Sequence, residues 1–530
     1  MVKPHVKGER GAMQFGTVLA SAGTIAFFSL VSRALGLLRD RLLAGQYGAG
    51  LELDAYFAAF KVPDFLYNLL VLGALTAAFV PVVGGLLAKK QEREANQTTS
   101  AILNIIVVTI AVLAVVAEFF VPQLVSLTAP GFVGAGRDLT IQLTRIMLIS
   151  PVLFGLSSVI SSYLNTRRRF TAYALAPVAY NVGLILGIVV LVPLFGPTGL
   201  AWGVLLGALL HIFAQVPSFF KAGFRYSPLA AWRRESVGKI LRLAGPRLIS
   251  VGAQQISLVV ITAVATLMSS GTVTAYNLAF NLQSLSLGIV GISLATAVFP
   301  LLAEAASRNR GSEFIGHVTQ TVRQIMFLII PLSLAFILLR VEIVRLVLGT
   351  GSFDFQDTFE TAAALGVFSI SLFAQSVVPV LARAFYSLED TKTPVAISVT
   401  AVIINVVASF TLARTMGIFG LALGFTIAAV IDFLLHAIFL RGRLGSLDDK
   451  EVFMSVFRTL TAAAIGGIGL LAVRSMLLNI ISLNSFGAVL LLTIGALLVG
   501  GILYVATHAL LRSPELKDIW RMFSAKIRRS

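Results

Sequence analysis

The stretch FGTVLASAGTIAFFSLVSRALGLLRDRLL, residues 15–43, is long and apolar enough to cross a membrane, yet it holds Arg33, Arg39, Asp40 and Arg41. A charge at the centre of a bilayer costs about 2.5–3.5 kcal/mol even on a lenient insertion scale. Several arginines in one span therefore need a wet, protein-lined cavity, and a cavity with cationic walls suits an anion. Arg33 carries this argument furthest, because mostly apolar residues precede it for more than two helical turns. For Arg41, and for Asp54 further on, a place at the water interface is an open alternative.

The remainder of the chain reads the same way. Of 530 residues, 57% are hydrophobic and 12% charged, and the mean hydropathy is +0.92. That composition cannot supply the polar surface of a soluble protein of this length. Only helices and closed barrels satisfy every backbone group in lipid. The apolar runs are continuous rather than alternating, so the expected class is an all-α polytopic membrane protein. Apolar windows between turn signals give about fourteen transmembrane helices. They lie at 15–43, 54–87, 101–120, 139–164, 172–192, 199–220, 240–267, 273–303, 318–346, 359–386, 394–412, 417–440, 453–478 and 486–511.

The net charge of +17 would suggest nucleic acid as a partner of a soluble protein, but here the basic residues fall in alternate loops, and no nucleic-acid partner is expected. With a cytoplasmic amino terminus, every even-numbered loop should be basic. Lys89, Lys90 and Arg93 follow helix two, Arg167, Arg168 and Arg169 follow helix four, and Lys221, Arg225, Arg233, Arg234 and Lys239 follow helix six. Arg308 and Arg310 follow helix eight, and Arg441, Arg443 and Lys450 follow helix twelve. Both termini are thus expected in the cytoplasm. The first run is too long for a signal peptide and is expected to be retained.

An internal repeat is visible. Ala55-Tyr56-Phe57-Ala58-Ala59-Phe60 returns 220 positions on as Ala275-Tyr276-Asn277-Leu278-Ala279-Phe280, and Thr76-Ala77-Ala78-Phe79 as Thr296-Ala297-Val298-Phe299. Gly196-Pro197-Thr198-Gly199-Leu200-Ala201 is answered by Gly417-Ile418-Phe419-Gly420-Leu421-Ala422 at an offset of 221. Six helices per repeat keep the two halves in the same orientation. The expected organisation is an N-terminal lobe at 1–222, a C-terminal lobe at 223–445, two extra helices within 446–511, and a basic cytoplasmic tail at 512–530. Two parallel six-helix lobes around a central cavity make an alternating-access plan.

Polar residues line up within these helices. Asp54, Lys61 and Asn68 are seven apart on helix two and share a stripe, with Asp64 one turn beyond Lys61. Helix eight carries Asn277, Asn281, Ser284, Gly288 and Gly291 at similar spacing, and Asn281 aligns with Lys61. On helix one Arg33 and Asp40 share a face while Arg39 and Arg41 project elsewhere; helix seven adds Arg247, Ser250, Gln254 and Ser257. Arginine's planar fork matches phosphate oxygens two at a time, so a phosphate-bearing ligand fits, with Asp40 and Asp54 orienting the arginines. The plainer reading of the same residues is internal pairing, Arg39 with Asp40 and Lys61 with Asp64. Asp432 with His436, His211 and Glu118 are candidates either for ion coupling or for ordinary structural satisfaction. Arg340, Glu342 and Arg345 form an expected cluster at the exterior end.

Several motifs resemble a known family. Ser32-Arg33-Ala34-Leu35-Gly36-Leu37-Leu38-Arg39-Asp40, Asp54-Ala55-Tyr56, Phe60-Lys61-Val62-Pro63, Ala78-Phe79-Val80-Pro81, Leu164-Asn165-Thr166, Ala176-Pro177 and Phe385-Tyr386-Ser387 followed by Asp390-Thr391-Lys392-Thr393-Pro394 are similar to the MurJ (MviN) lipid II flippases. The resemblance implies the multidrug/oligosaccharidyl-lipid/polysaccharide exporter fold in the bacterial plasma membrane. It also implies translocation of undecaprenyl-diphosphate-linked peptidoglycan precursor, lipid II or a similar polyprenyl-diphosphate saccharide, from the inner to the outer leaflet. By that resemblance Ser32, Arg33, Arg39, Asp40, Asp54 and Asn181 fall on substrate-binding positions, and the last two helices form a groove for the lipid tail; Lys61, Asn68 and Asn281 are added as substrate-binding candidates from the polar stripes. The chain departs from the family at Tyr67 and Asn68, where relatives place paired arginines, and at Asn281, where they place an arginine. No metal or cofactor is expected; transport is open to coupling to membrane potential, Na+ or H+, and the partners are membrane lipids around a monomer. The rival readings are a related polysaccharide-lipid or drug/cation exporter, for which a net acidic cavity is expected in the cation case, and a membrane-embedded transferase. The transferase needs clustered carboxylates or histidines, whereas the five histidines here are scattered.

Overall fold

Apolar runs of this length leave the backbone no partner but itself, so each closes into helix. The computed structural model describes residues 7–72, 75–227, 235–480 and 485–518, apart from the side chains of 7–22, 71–72, 75–78, 243–247, 249 and 250. Arg247 and Ser250 of the expected helix-seven stripe lie outside the described side chains. Among the described residues every regular element is helical. Nine helices among the described residues are long and apolar enough to span a membrane, or ten if Phe355–Ile370 and Leu372–Ser387, bent by 45°, are one span.

Two compact units divide the chain, one within Met1–Leu43 and Gly50–Leu267, the other within Ala44–Ala49 and Met268–Ser530. The first contains α1 (Lys7–Tyr47), whose last residues join the second unit, then α2 (Leu51–Ala59), α3 (Lys61–Tyr67), α4 (Leu75–Ala88), α5 (Glu92–Phe119) and α6 (Val121–Thr128). It continues with α7 (Gly134–Met147), α8 (Ser150–Thr166), α9 (Phe170–Leu186), α10 (Val192–Phe195), α11 (Thr198–Phe213), α12 (Val216–Lys221) and α13 (Glu235–Thr266). The second unit contains α14 (Thr272–Ser286), α15 (Ser293–Ser307), α16 (Gly311–Leu338), α17 (Arg340–Leu348), α18 (Phe355–Ile370) and α19 (Leu372–Ser387). It ends with α20 (Lys392–Leu444), α21 (Asp449–Leu478) and α22 (Phe486–Leu510). The division falls at Leu267, because α13 packs on α3, α4 and α6.

Each unit has its own apolar core. In the first, Phe79, Ile102, Ile110, Val159 and Tyr163 pack with Phe219 and Phe224, whose rings stack at 4.1 Å. In the second, Phe314, Ile325, Leu372, Leu381 and Phe385 do the same. Lipid tails are as apolar as leucine, so helix packing within a membrane relies on close approach rather than on exclusion of water. Glycine supplies that approach between α9 and α11. A Cβ on Gly183 would lie 2.3 Å from the Gly207 Cα, and one on Gly187 would lie 2.5 Å from the Gly203 Cα.

Unusual backbone geometry recurs at the spacing of the sequence repeat. Gly196 (φ 62°, ψ −152°) and Gly417 (φ 57°, ψ −140°) adopt the same conformation, one essentially closed to residues with a Cβ. Gly417 thereby breaks the continuous run of α20 in two. Just beyond, Gly199 backs onto the backbone of Leu191 and Gly420 onto that of Leu412. π-helical turns occupy Asn68–Leu72 and Leu287–Ile292. Left-handed residues end helices at Lys90 and Asn309 and again at Arg168 and Glu389, each with the paired backbone bonds of a Schellman turn, such as Gln91 N–H to Leu86 O and Arg310 N–H to Ala305 O, both 3.0 Å.

The loop ends are pinned by polar contacts. Asp390 accepts the Lys392 and Thr393 N–H groups at 3.1 and 3.0 Å and pairs with Arg443. Backbone and hydroxyl bonds from Thr393 outweigh partial burial there and hold the Asp390 carboxyl below its usual range. Beyond α22, Glu515 receives Arg323 at 2.7 Å and Ser455 at 2.7 Å, and also bonds Ser513. The expected exterior cluster separates: Glu342 is fully buried and pairs with Arg474 at 2.6 Å, Arg345 lies over the Phe355 ring at 4.4 Å, and Arg340 donates to Ile337 O at 2.8 Å.

Candidate functional site

The polar cluster of the first unit is built where α1 meets α9. Asn181 is 8% exposed and stands two residues before Gly183, in the part of α9 that approaches α11 most closely. Its amide donates to the Ser32 hydroxyl at 3.1 Å, to the Ser32 carbonyl at 3.3 Å and to the Pro177 carbonyl at 3.0 Å. Its oxygen accepts from Arg39 Nη1 at 3.5 Å. Gly36, one turn before Asp40, leaves room: a Cβ there would sit 3.9 Å from the Asn181 oxygen.

Arg39 and Asp40 project from different faces of α1, yet the arginine turns round to its neighbour, in the internal pairing that was the plainer reading of the sequence. Its Nε and Nη2 donate to the same Asp40 oxygen at 2.9 and 2.7 Å. Asp40 is 4% exposed, while the Arg39 side chain keeps 22% of its surface. A buried carboxylate thus anchors one edge of the guanidinium, and the other edge leans on an amide. Such an arrangement holds a cation in a fixed orientation with part of its fork still accessible, which is what binding a phosphate requires.

The other sequence candidates fall around or away from this pair. Arg33 is half-buried one turn and a half earlier on α1. Asp54 is 1% exposed in the first turn of α2. Lys61 and Asp64, at the start of α3, act on one another's charge without an ion pair inside 4.0 Å. Asn68 is half-buried at the first position of the π-helical turn after α3. Asn281 belongs to the second unit, half-buried on α14. The structure therefore gathers Ser32, Arg39, Asp40 and Asn181 into one bonded group, with Lys61 and Asp64 as a second charged pair in the same unit.

Sequence reasoning did not single out the aromatic residues beside these charges. Tyr56 and Tyr180 lie within electrostatic reach of Arg39, and Tyr180 also of Asp64 and Tyr67. Tyr67 bonds Ser158 at 3.0 Å, and Phe154 packs edge-on against Tyr180 at 5.2 Å and His211 at 5.6 Å. A tyrosine in an apolar helix carries no mark that distinguishes a cavity wall from a core, so only its neighbours reveal it.

The coupling candidates have internal partners. Gln215 donates to the Ser157 hydroxyl at 2.8 Å, so Ser157 passes its own hydrogen to His211 Nδ1 at 2.6 Å. In the neutral ring the proton then sits on Nε2. His436 is fully buried and meets the Asp432 carbonyl at 2.9 Å and carboxylate at 3.2 Å. Glu118 pairs with Arg145 at 3.2 Å near the surface.

Known proteins match this chain along most of its length. The family model described as "Lipid II flippase MurJ" matches residues 43–495. The lipid II flippase MurJ of Burkholderia cenocepacia is 30% identical over 460 residues, 84% of this chain and 88% of that protein. A probable lipid II flippase MurJ of Vibrio cholerae is 32% identical over 428 residues, 78% of this chain and 81% of the relative. Among solved structures, a lipid II flippase MurJ in an inward closed conformation superposes with a TM-score of 0.77 at 24% identity, covering 92% of this chain and 98% of the other. An inward-facing MATE family transporter of the MOP superfamily shares the fold at a TM-score of 0.68 and 16% identity, over 79% of this chain and 96% of its own. With the family model spanning most of its length, this chain belongs to the lipid II flippase MurJ family.

Proposed function

We propose that this chain is a transporter that moves lipid II, the undecaprenyl-diphosphate-linked peptidoglycan precursor, from the inner to the outer leaflet of the bacterial plasma membrane for cell wall synthesis. The observation that carries the reading is the Arg39 guanidinium, anchored to Asp40 and Asn181 inside an apolar helical unit. Arg33 and Arg39 bind the diphosphate. Asp40 and Asp54 set their orientation, and Asn68, Asn181 and Asn281 hydrogen-bond the headgroup, with Ser32 and Lys61 beside them.

The transport plan is alternating access by two parallel six-helix repeats within fourteen spans, both termini being cytoplasmic. The paired glycine breaks, π-helical turns and Schellman turns about 220 residues apart support the duplication. The prenyl tail stays in lipid along α21 and α22, which lie outside the repeat. The protein works as a monomer among membrane lipids, without cofactor, and draws on membrane potential, Na+ or H+. Each charge that crosses the field is worth about 2.3 kcal/mol per 100 mV.

The decisive experiment measures leaflet-resolved accessibility of lipid II after depletion of this protein, with rescue by wild type and by Arg33→Ala. Wild type restores outer-leaflet lipid II. Arg33→Ala inserts to the same level and restores none. Outer-leaflet lipid II that persists without the protein, or normal translocation by Arg33→Ala, overturns the reading or its arginine respectively.

A further inference from the structure

Polar heads without partners gather around α3 in the first unit. Lys61, Asp64 and Tyr67 follow one another at intervals of three residues, which puts them on adjoining turns of one side of the helix. Among the described residues neither Lys61 nor Asp64 has a hydrogen bond, or an ion pair within 4.0 Å, and the hydroxyl of Tyr180 on α9 has no hydrogen bond either. None of these polar heads is sealed from solvent. Asp64 lies within electrostatic reach of Lys61, Tyr67 and Tyr180, so the heads converge on a common space. Tyr180 is also within reach of Arg39.

An aromatic wall adjoins them. The ring of Phe154 on α8 packs between those of Tyr67, at 5.4 Å, and Tyr180, at 5.2 Å. Two contacts fix the outer rings. The Tyr67 hydroxyl bonds Ser158 at 3.0 Å, and Gly207 lets Tyr180 lie on α11, where a Cβ would come within 2.7 Å of the ring. All three rings are half-buried. An apolar core gains nothing from unpaired charges, and a site for a simple ion would not carry both signs. A phosphate suits Lys61 but is repelled by Asp64; an ammonium suits Asp64 but is repelled by Lys61. A neutral ring bearing hydroxyls uses both, because a hydroxyl donates to the carboxylate and accepts from the ammonium. A pyranose adds flat C–H faces, whose partial positive charge matches the negative face of an aromatic ring. Apolar walls with a few convergent polar groups are the general form of a small-molecule site.

We infer that Tyr67 and Tyr180 form the stacking wall, and Asp64 and Lys61 the hydroxyl-reading edge, of a subsite for one sugar ring of the lipid-linked saccharide. The inference rests on the lipid II reading above and adds how the uncharged part of the head is recognised. With Tyr180 within reach of Arg39, a sugar held here stays beside the diphosphate to which it is bonded. The peptide of the precursor also carries polar groups, and the test separates it from the sugar.

The full chain in phosphatidylcholine nanodiscs is titrated with undecaprenyl diphosphate, with undecaprenyl diphosphate carrying the disaccharide alone, and with complete lipid II. Wild type binds both saccharide lipids more tightly than the bare diphosphate. Tyr67→Leu and Tyr180→Leu each weaken the saccharide lipids roughly tenfold, the scale of one well-placed aromatic contact. Both bind undecaprenyl diphosphate as wild type does, which also shows that they fold. Tyr67→Phe, which keeps the ring and loses only the Ser158 bond, stays near wild type, and Asp64→Asn loses about as much as the leucine variants. Undiminished binding of the disaccharide lipid by the leucine variants or by Asp64→Asn overturns the inference. So does an equal loss for all the lipids, which makes the tyrosines supports of the Arg39 group. Wild type that binds the disaccharide lipid no better than the bare diphosphate, but complete lipid II more tightly, overturns it in favour of the peptide. If wild type binds none of these lipids, the functional reading fails; if it binds lipid II while the variants change nothing, only the inference does.

Discussion

A carboxamide both donates and accepts, and Asn181 uses both properties at once. Its nitrogen holds α1 through Ser32 while its oxygen steadies Arg39. Its donor and acceptor sit on separate atoms of one short side chain, so the position is sensitive in two directions. Asn181→Leu leaves the Ser32 and Arg39 groups unmatched in a site with little water, a cost of about 1–3 kcal/mol for each buried polar group. Translocation by this variant is expected to fall roughly tenfold or more at unchanged abundance. Asn181→Asp keeps the acceptor but adds a negative charge that competes with the anion for Arg39, and is expected to fall as well. Both follow from the leaflet-resolved lipid II assay normalised to membrane-inserted protein; wild-type rates in Asn181→Leu refute the role. At this scale the sequence showed which residues carry charge and offered Arg39 with Asp40 as a pairing, but not the bonds of Asn181 to Ser32 and Arg39. The bond from Arg39 to Asp40 runs against the helical-face argument, because a long flexible side chain can turn back to its neighbour.

At the level of elements, glycine sets the spacing on which the Asn181 geometry depends. Gly183 and Gly187 on the α9 side meet Gly207 and Gly203 on α11 with no space for a β-carbon between them. Gly203→Leu must drive the two helices apart, an overpacking penalty of about 1–3 kcal/mol. The purified protein in detergent is expected to unfold several degrees lower than wild type, with translocation reduced as Asn181 moves away from α1. An unchanged melting midpoint would contradict this packing account. The elements themselves were largely legible, because the hydrophobic runs and turn residues that define them are local. The expected break between 412 and 417 coincides with Gly417 inside α20. Less legible were the kinks: π-helical turns and the breaks at Phe60 and Ser371 depend on neighbouring helices rather than on the run that contains them.

For the whole molecule, the segment after α22 is fastened back onto the second unit through Glu515. Burial pushes this carboxyl up, but hydrogen bonds from Ser513, Ser455 and Arg323 overcome it and hold it at about 2. Because the folded value lies below the ordinary carboxylate range, the stabilisation is fully present above that range and is lost as pH falls through it toward 2. Glu515→Gln is therefore expected to melt below wild type near neutral pH, with the gap closing on acidification. A gap that is constant with pH, measured by thermal unfolding in detergent, rules out the charged latch. The contact reaches α16 through Arg323 and α21 through Ser455, so it ties the end of the second unit to two of its own helices. None of its partners is near another in the sequence, and no spacing argument could have found it.

By itself the sequence determined that this chain is helical and membrane-embedded, and it predicted a duplicated half. Those properties follow from hydropathy, turn chemistry and short matched segments, all of which are local or self-referential. It also predicted an anion site from the arginines of the first span, because charge at the bilayer centre is costly. Only the tertiary structure decided the pairings: Arg39 with Asp40 and Asn181, Glu342 with Arg474, and Glu515 with Arg323. Pairing depends on which helix faces come together, and in a bundle whose helices are all apolar many packings bury the same residues equally well.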